Sequence, residues 1–171
     1  MVDASQAELD GLIHGEMAPG FLGLLLGRLV DRLVEDGGGP AEAAGIRAPV
    51  RTFSMMLLLD RADQSVTELA RRLGVTHAAV IKTSRALGEL GFLARGDDTA
   101  DARRKPLRLT PAGRAEAARI ADYMARAGQV YAGLFEEIGG DLFAVAQAFD
   151  VALDRDGFAS RMKALSPHVA E

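Results

Sequence analysis

Cysteine is absent from this 171-residue chain, which excludes disulfides, thiolate metal sites and any switch based on thiol oxidation. Tryptophan is absent and aromatic residues make up only 5% of the chain, although the 49% of hydrophobic residues suffices for a real core. The three histidines, His14, His77 and His168, lie far apart, with no His-x-x-x-His pair to hold a metal. Gly37-Gly38-Gly39-Pro40 is followed by no Gly-Lys-(Ser/Thr), and Gly-x-Ser-x-Gly is missing. No enzyme activity and no cofactor are therefore expected. The apolar stretch 21–30 is interrupted by Arg28 and falls far short of the roughly 20 residues that span a bilayer. With an acidic N-terminal segment and no basic leader before an apolar core, the expectation is a cytoplasmic protein without a membrane partner.

The net charge of −4 conceals a segregation. Residues 1–45 hold two basic and eight acidic side chains, residues 46–119 fourteen and eight, and residues 120–171 four and eight. The positive charge is concentrated in the middle of the chain and is carried mostly by arginine. Phosphate binding responds to such a local field rather than to the overall charge, and arginine suits both phosphates and base edges.

That basic segment holds the most informative motif. Residues 66–80 (Val-Thr-Glu-Leu-Ala-Arg-Arg-Leu-Gly-Val-Thr-His-Ala-Ala-Val) read as a helix, a turn and a second helix. Leu69, Ala70 and Leu73 give the first helix one buried stripe. Gly74 suits the left-handed position that ends a helix, and Thr76 is a good N-cap for the next. The second helix carries His77, Lys82 and Arg85 beside Val80 and Leu87, which are expected to face the core. A basic helix mounted on a helical pair is what major-groove docking requires. The plain alternative is an αα corner in an all-helical domain.

After Gly91, residues 92–95 and 107–109 read as two short strands, with a polar, turn-rich segment between them that ends in Arg103-Arg104-Lys105. A basic hairpin directly after a helix-turn-helix makes a winged helix, whose tip can reach the minor groove. Thr110 and Pro111 then open a new helix as N-cap and first residue. The expected fold is mainly α with a small two- or three-stranded antiparallel sheet.

Leu69-Ala70, Leu73-Gly74-Val75-Thr76, Val80, Leu87, Gly91-Phe92, Asp101-Ala102-Arg103, Leu109-Thr110 and Gly113 together resemble the MarR family of bacterial winged-helix transcriptional regulators. The close match covers residues 66–114, and outside that window the resemblance is one of layout. Thr83 departs from it, standing where a larger apolar residue is usual. Gly88 departs from helix preference, weakening the helix by about 1 kcal/mol. The resemblance implies that Arg103 contacts DNA and that Asp101 holds the loop in shape. Arg104 and Lys105 would add phosphate neutralisation, or merely keep a solvated edge soluble. On the second helix, Lys82 and Arg85 are expected at phosphates or guanine edges, with Thr76 and His77 at the backbone near the helix start. Ala78 and Ile81 complete the outward face. Ile81 suits a thymine methyl and equally suits packing on the preceding helix. Relatives hold a small aromatic or anionic effector between the dimer helices and the winged domain, which here would bring in Arg51, Phe53, Met55 and Met56, the last three equally suited to the core.

The flanks suggest self-association, the plain alternative being that these helices complete a monomeric core. Phe21, Leu22, Leu25, Leu26, Leu29, Val30, Leu33 and Val34 follow helical spacing, with Gly37 to Pro40 expected to end that helix. A second helix is expected over residues 48–62, and a long one over 114–137. After Gly139-Gly140, apolar residues from Leu142 to Leu153 form another stripe, with Asp141 as a candidate cap. The division expected is residues 1–45 for dimerisation, 46–114 for DNA binding and 115–171 for dimerisation. The resemblance implies a homodimer on a pseudo-palindromic operator, acting as a repressor. The rival from another class is a winged-helix scaffold that binds protein and not DNA.

Overall fold

A computed structural model describes residues 11, 14–95 and 106–165. Two compact units are present, Met1–Tyr123 and Met124–Glu171.

In the first unit, a 3-10 turn (Ala18–Phe21) leads into helix α1 (Leu22–Ala43), and a second such turn (Val50–Thr52) leads into α2 (Phe53–Arg61). Helices α3 (Val66–Leu73) and α4 (His77–Glu89) follow, then strands β1 (Leu93–Arg95) and β2 (Leu107–Leu109), then α5 (Pro111–Glu137), which starts here. The strands pair antiparallel with Leu93 opposite Leu109 and Arg95 opposite Leu107. An isolated bridge from Gln64 to Leu107 adds the beginning of a third strand. This is the small sheet that the alternation at residues 107–109 implied, and Leu107 and Leu109 are buried while Arg108 is exposed.

The core is aliphatic, as a chain so poor in aromatics requires. Met56, Leu59, Leu69, Val80, Leu87, Leu109 and Ile120 are almost wholly buried, joined by Phe53, Met55 and Phe92. Each such side chain stabilises the fold by about 1.5–3 kcal/mol relative to leaving it in water. Phe53 meets Tyr123 edge-on, with ring centroids 5.8 Å apart.

Helix α1 does not stop at the glycines. It runs through Gly37-Gly38-Gly39-Pro40 to Ala43, which corrects the expectation of a break there. Proline removes one helical donor, but local propensity yields here to tertiary contact. The Tyr123 hydroxyl donates to the Gly37 carbonyl at 3.1 Å, and Ala41 is buried in the core. The stop comes at Gly45, whose φ of 74° is left-handed. The Gly45 N–H bonds the Glu42 carbonyl at 2.8 Å and the Ile46 N–H bonds the Ala41 carbonyl at 3.0 Å, the paired closure of a Schellman motif.

Beyond that stop, the turn at residues 46–48 is held by a buried carboxylate. Glu116 of α5 accepts from the Ala48 N–H at 2.8 Å, from the Arg47 N–H, and from Arg119 Nη2 at 2.5 Å. Burial pushes the Glu116 pKa up, but the Arg119 hydrogen bond and the two amides outweigh it, and the carboxyl sits below its ordinary 4.5. Arg47 in turn lies over the Phe92 ring, 5.6 Å from its centroid.

The second unit takes in α6 (Leu142–Arg155) and α7 (Phe158–Leu165). Asp141 caps α6, accepting from the Ala144 N–H at 2.9 Å. Neither helix buries a single residue. Among the described residues, no helix is long and apolar enough to cross a membrane.

Candidate nucleic-acid interface

Helix α3 begins at a capping box. Ser65 Oγ accepts from the Glu68 N–H at 3.2 Å while the Glu68 carboxylate accepts from the Ser65 N–H at 2.8 Å. These bonds from Ser65 hold the exposed Glu68 carboxyl below its ordinary value. The Ser-x-x-Glu spacing was a readable signal that the sequence reading above does not use.

Gly74, at φ 66°, closes α3 and lets the chain reverse. Thr76 then caps α4, accepting from the Ala79 N–H at 3.1 Å. With one end of the turn closed by backbone bonds to the Ala70 carbonyl and the other by the Thr76 side chain, the orientation of α4 is set locally. Val80 and Leu87 are the buried positions of α4. Every other consequence for the outer face follows from helical periodicity.

On that outer face Thr76, His77, Ala78, Ile81, Lys82 and Arg85 are all exposed. The structure therefore brings together all six positions named on the second helix of the motif. Ile81 is 48% exposed, so it is not packed away under the preceding helix. His77 Nε2 lies 3.3 Å from Thr67 Oγ1, tying the start of α4 to α3. Neither Lys82 nor Arg85 forms an ion pair among the described residues. Arg71 and Arg72, in the last turn of α3, are two further exposed cations that the sequence reading did not single out. Thr83 is half-buried, the environment of the larger apolar residue it stands in for.

The hairpin is seated by backbone and hydroxyl contacts. Thr110 Oγ1 donates to the Gly91 carbonyl at 2.7 Å and accepts from the Gly113 N–H at 3.0 Å, while the Thr110 N–H donates to the Phe92 carbonyl at 2.9 Å. Gly113 passes so close that a Cβ there would lie 2.1 Å from the Phe92 carbonyl oxygen. Only glycine fits, which gives the physical reason for glycine at this place in the motif. On the other edge of the hairpin, Arg108 Nε donates to Asp63 at 2.7 Å. Asp101, Arg103, Arg104 and Lys105 lie outside the described residues.

The four residues suggested as an effector lining fall into two environments. Phe53, Met55 and Met56 are buried in the core, at 3%, 2% and 0% exposure. Arg51 is exposed and its Nη2 bonds the Asp31 carboxylate of α1. The three apolar side chains thus serve packing, because the core needs their volume where aromatic residues are scarce. Among the described residues, no group of His, Asp and Glu could hold a metal ion.

A helix-turn-helix followed by an antiparallel hairpin, with helices before and after, defines a winged helix-turn-helix fold. No family model and no curated protein matches the chain, but solved structures do. The transcriptional repressor CouR bound to a 23-mer DNA duplex is 26% identical with a TM-score of 0.62, over 81% of this chain and 96% of its own. CouR from Rhodococcus jostii RHA1 bound to p-coumaroyl-CoA is 23% identical with a TM-score of 0.54, over 88% and 95%. A MarR-family transcriptional regulator from Rhodococcus sp. RHA1 is 22% identical with a TM-score of 0.57, over 84% and 99%. In fold the chain is similar to these MarR-family regulators, the resemblance that the motif at residues 66–114 implied.

Proposed function

We propose that this chain is a sequence-specific double-stranded DNA-binding transcriptional regulator, a repressor that acts as a homodimer on a pseudo-palindromic operator. The observation that carries the reading is the outer face of α4. Six positions are exposed there, two of them cations without an ion pair among the described residues, on a helix fixed by Thr76, Val80 and Leu87. In this reading Lys82 and Arg85 engage phosphates or guanine edges, Thr76 and His77 the backbone, and Ala78 and Ile81 the groove floor. Arg103, Arg104 and Lys105 are assigned to the hairpin contact, with Asp101 orienting them. CouR, similar over most of both chains, is a repressor that binds a DNA duplex.

The homodimer reading rests on the flanking helices. Leu22, Leu25, Leu26, Leu29, Val30 and Leu33 form one face of α1, and all are more than a third exposed. Phe143, Val145, Phe149 and Phe158 are exposed in the second unit. Residues 1–45 and 115–171 are accordingly assigned to dimerisation and 46–114 to DNA. A small aromatic or anionic effector relieves binding in this reading, the class to which the p-coumaroyl-CoA held by CouR belongs. It acts by preferring one spacing of the two recognition helices.

The test is fluorescence polarisation with DNA from upstream of the gene, titrated against salt and against unrelated competitor, with mass measured by light scattering. A competitor-resistant complex that weakens steeply with salt, formed by a dimer, is the expected result. A monomer, or a complex that unrelated DNA displaces equally well, overturns the reading.

A further inference from the structure

Asp63, Gln64 and Ser65, in the four-residue link between α2 and α3, hold on to three different parts of the first unit. Ser65 caps α3. Gln64 exchanges backbone hydrogen bonds with Leu107, its N–H donating at 3.3 Å and its carbonyl accepting at 2.8 Å, and its side-chain Nε2 donates to the Leu58 carbonyl at 2.8 Å. The Gln64 side-chain oxygen is buried and has no hydrogen-bond partner among the described residues. Asp63 takes the guanidinium of Arg108 at 2.7 Å, reaching across 45 positions of sequence to strand β2. The ion pair and the two backbone bonds are thus the polar ties from the helix-turn-helix to the outer strand of the hairpin.

Resting on the DNA-binding reading above, we infer that Asp63 and Arg108 are positioning residues for DNA binding: their ion pair fixes β2 against the start of α3, and so fixes the hairpin base relative to α4. Arg108 stands beside the basic segment and is about half exposed, so it has the profile of a phosphate ligand. The geometry assigns it elsewhere, since its Nε is already committed to Asp63. A surface ion pair of this kind adds little to global stability. What it fixes is the register between two elements that must meet one duplex together, and misplacement of a contact by a fraction of its length weakens it.

The two roles differ in the sign of one mutation. Asp63 is an acidic group close to a surface that receives a polyanion. By charge alone, Asp63→Ala strengthens DNA binding, and it strengthens it further if the freed Arg108 takes a phosphate. A positioning role demands the reverse.

The experiment measures affinity for the upstream DNA and native-state amide exchange in the full-length wild type, Asp63→Ala, Arg108→Ala and the exchanged pair Asp63→Arg with Arg108→Asp. Asp63→Ala and Arg108→Ala are each expected to weaken binding about three- to tenfold, the range of ordinary coupling between contacting groups. The exchanged pair restores most of the affinity. Without DNA, Asp63→Ala speeds exchange at the Leu107 and Gln64 amides, leaves Val80 and Leu87 protected, and the exchanged pair reverses the change. Equal or tighter DNA binding by Asp63→Ala overturns the inference, whatever the exchange shows. Unchanged exchange at Leu107 overturns it as well. A wild-type chain that forms no competitor-resistant complex removes the DNA reading and this role with it. That failure is recognisable by its appearance in the wild type, while the exchange measurement still reports whether the ion pair holds the strand.

Discussion

Helices α1 and α4 are both amphipathic, yet only α4 has its apolar stripe covered. On α4 the apolar positions Val80 and Leu87 are buried and the exposed face is polar and basic, with Ile81 as its one large apolar residue. On α1 six Leu and Val side chains remain more than a third exposed alongside the charged Asp31, Arg32 and Asp36, and Ala41 is the only buried residue. The two helices are thus told apart by whether the apolar stripe is covered or left in contact with water. The same contrast separates the two units: the first has a core, while α6 and α7 bury nothing.

Replacing Leu29 and Leu33 together by Asp attacks the apolar face alone. The expected outcome is complete loss of the dimer by light scattering, with the near-native exchange protection of Leu69 and Leu87 retained. Retention of the dimer would show that the exposed stripe of α1 is not where two copies meet. Leu87→Ala attacks the other side of the comparison, removing a wholly buried side chain. It is expected to destabilise the first unit by about 2–5 kcal/mol in denaturant unfolding, the usual span for emptying a packed site.

Glu116 supplies a pH test of how the first unit is braced. Its pKa is lowered in the folded state, so its contribution is present above the ordinary value of 4.5 and is lost as pH falls through and below it. Stability should decline on acidification from pH 6 toward pH 3, and Glu116→Gln should flatten that decline. At neutral pH the substitution should cost about 1–3 kcal/mol, because a neutral amide serves two backbone donors and Arg119 less well. On the α4 face, Arg85→Ala is expected to weaken operator binding by about 1–2 kcal/mol without moving the unfolding midpoint. The smallest effect is Ser65→Ala, which loses one half of the capping box at a cost of about 1 kcal/mol.

Local chemistry made the helix-turn-helix legible. Gly74 and Thr76 settle a turn with bonds that span no more than five residues, and the Leu69, Val80 and Leu87 spacing names the faces. The hairpin was legible for the same reason, through the alternation at Leu107, Arg108 and Leu109. What could not be read depends on contacts distant in sequence. Gly37 to Pro40 spells a break, and Tyr123, 86 positions away, helps keep it helical. Glu116 looks like one more solvated acid on α5 until the amides of residues 47 and 48 are found against it. Phe53, Met55 and Met56 satisfy a core and a binding cavity equally well as letters, and only packing separates the two. Asp63 and Arg108 belong to the same class, a pair with no signature at all before the fold brings them together.

The seat of Gly113 on Phe92 has a mechanical corollary. Two main chains touch there with no side chain interposed, so no rotamer is available to cushion a shift. A tilt at the head of α5 must be handed on, nearly undiminished, to the strand that begins one residue later at Leu93. The joint behaves as a rigid knuckle, and stiffness of this sort lets a small displacement at one end of a regulator become a change of reach at the other.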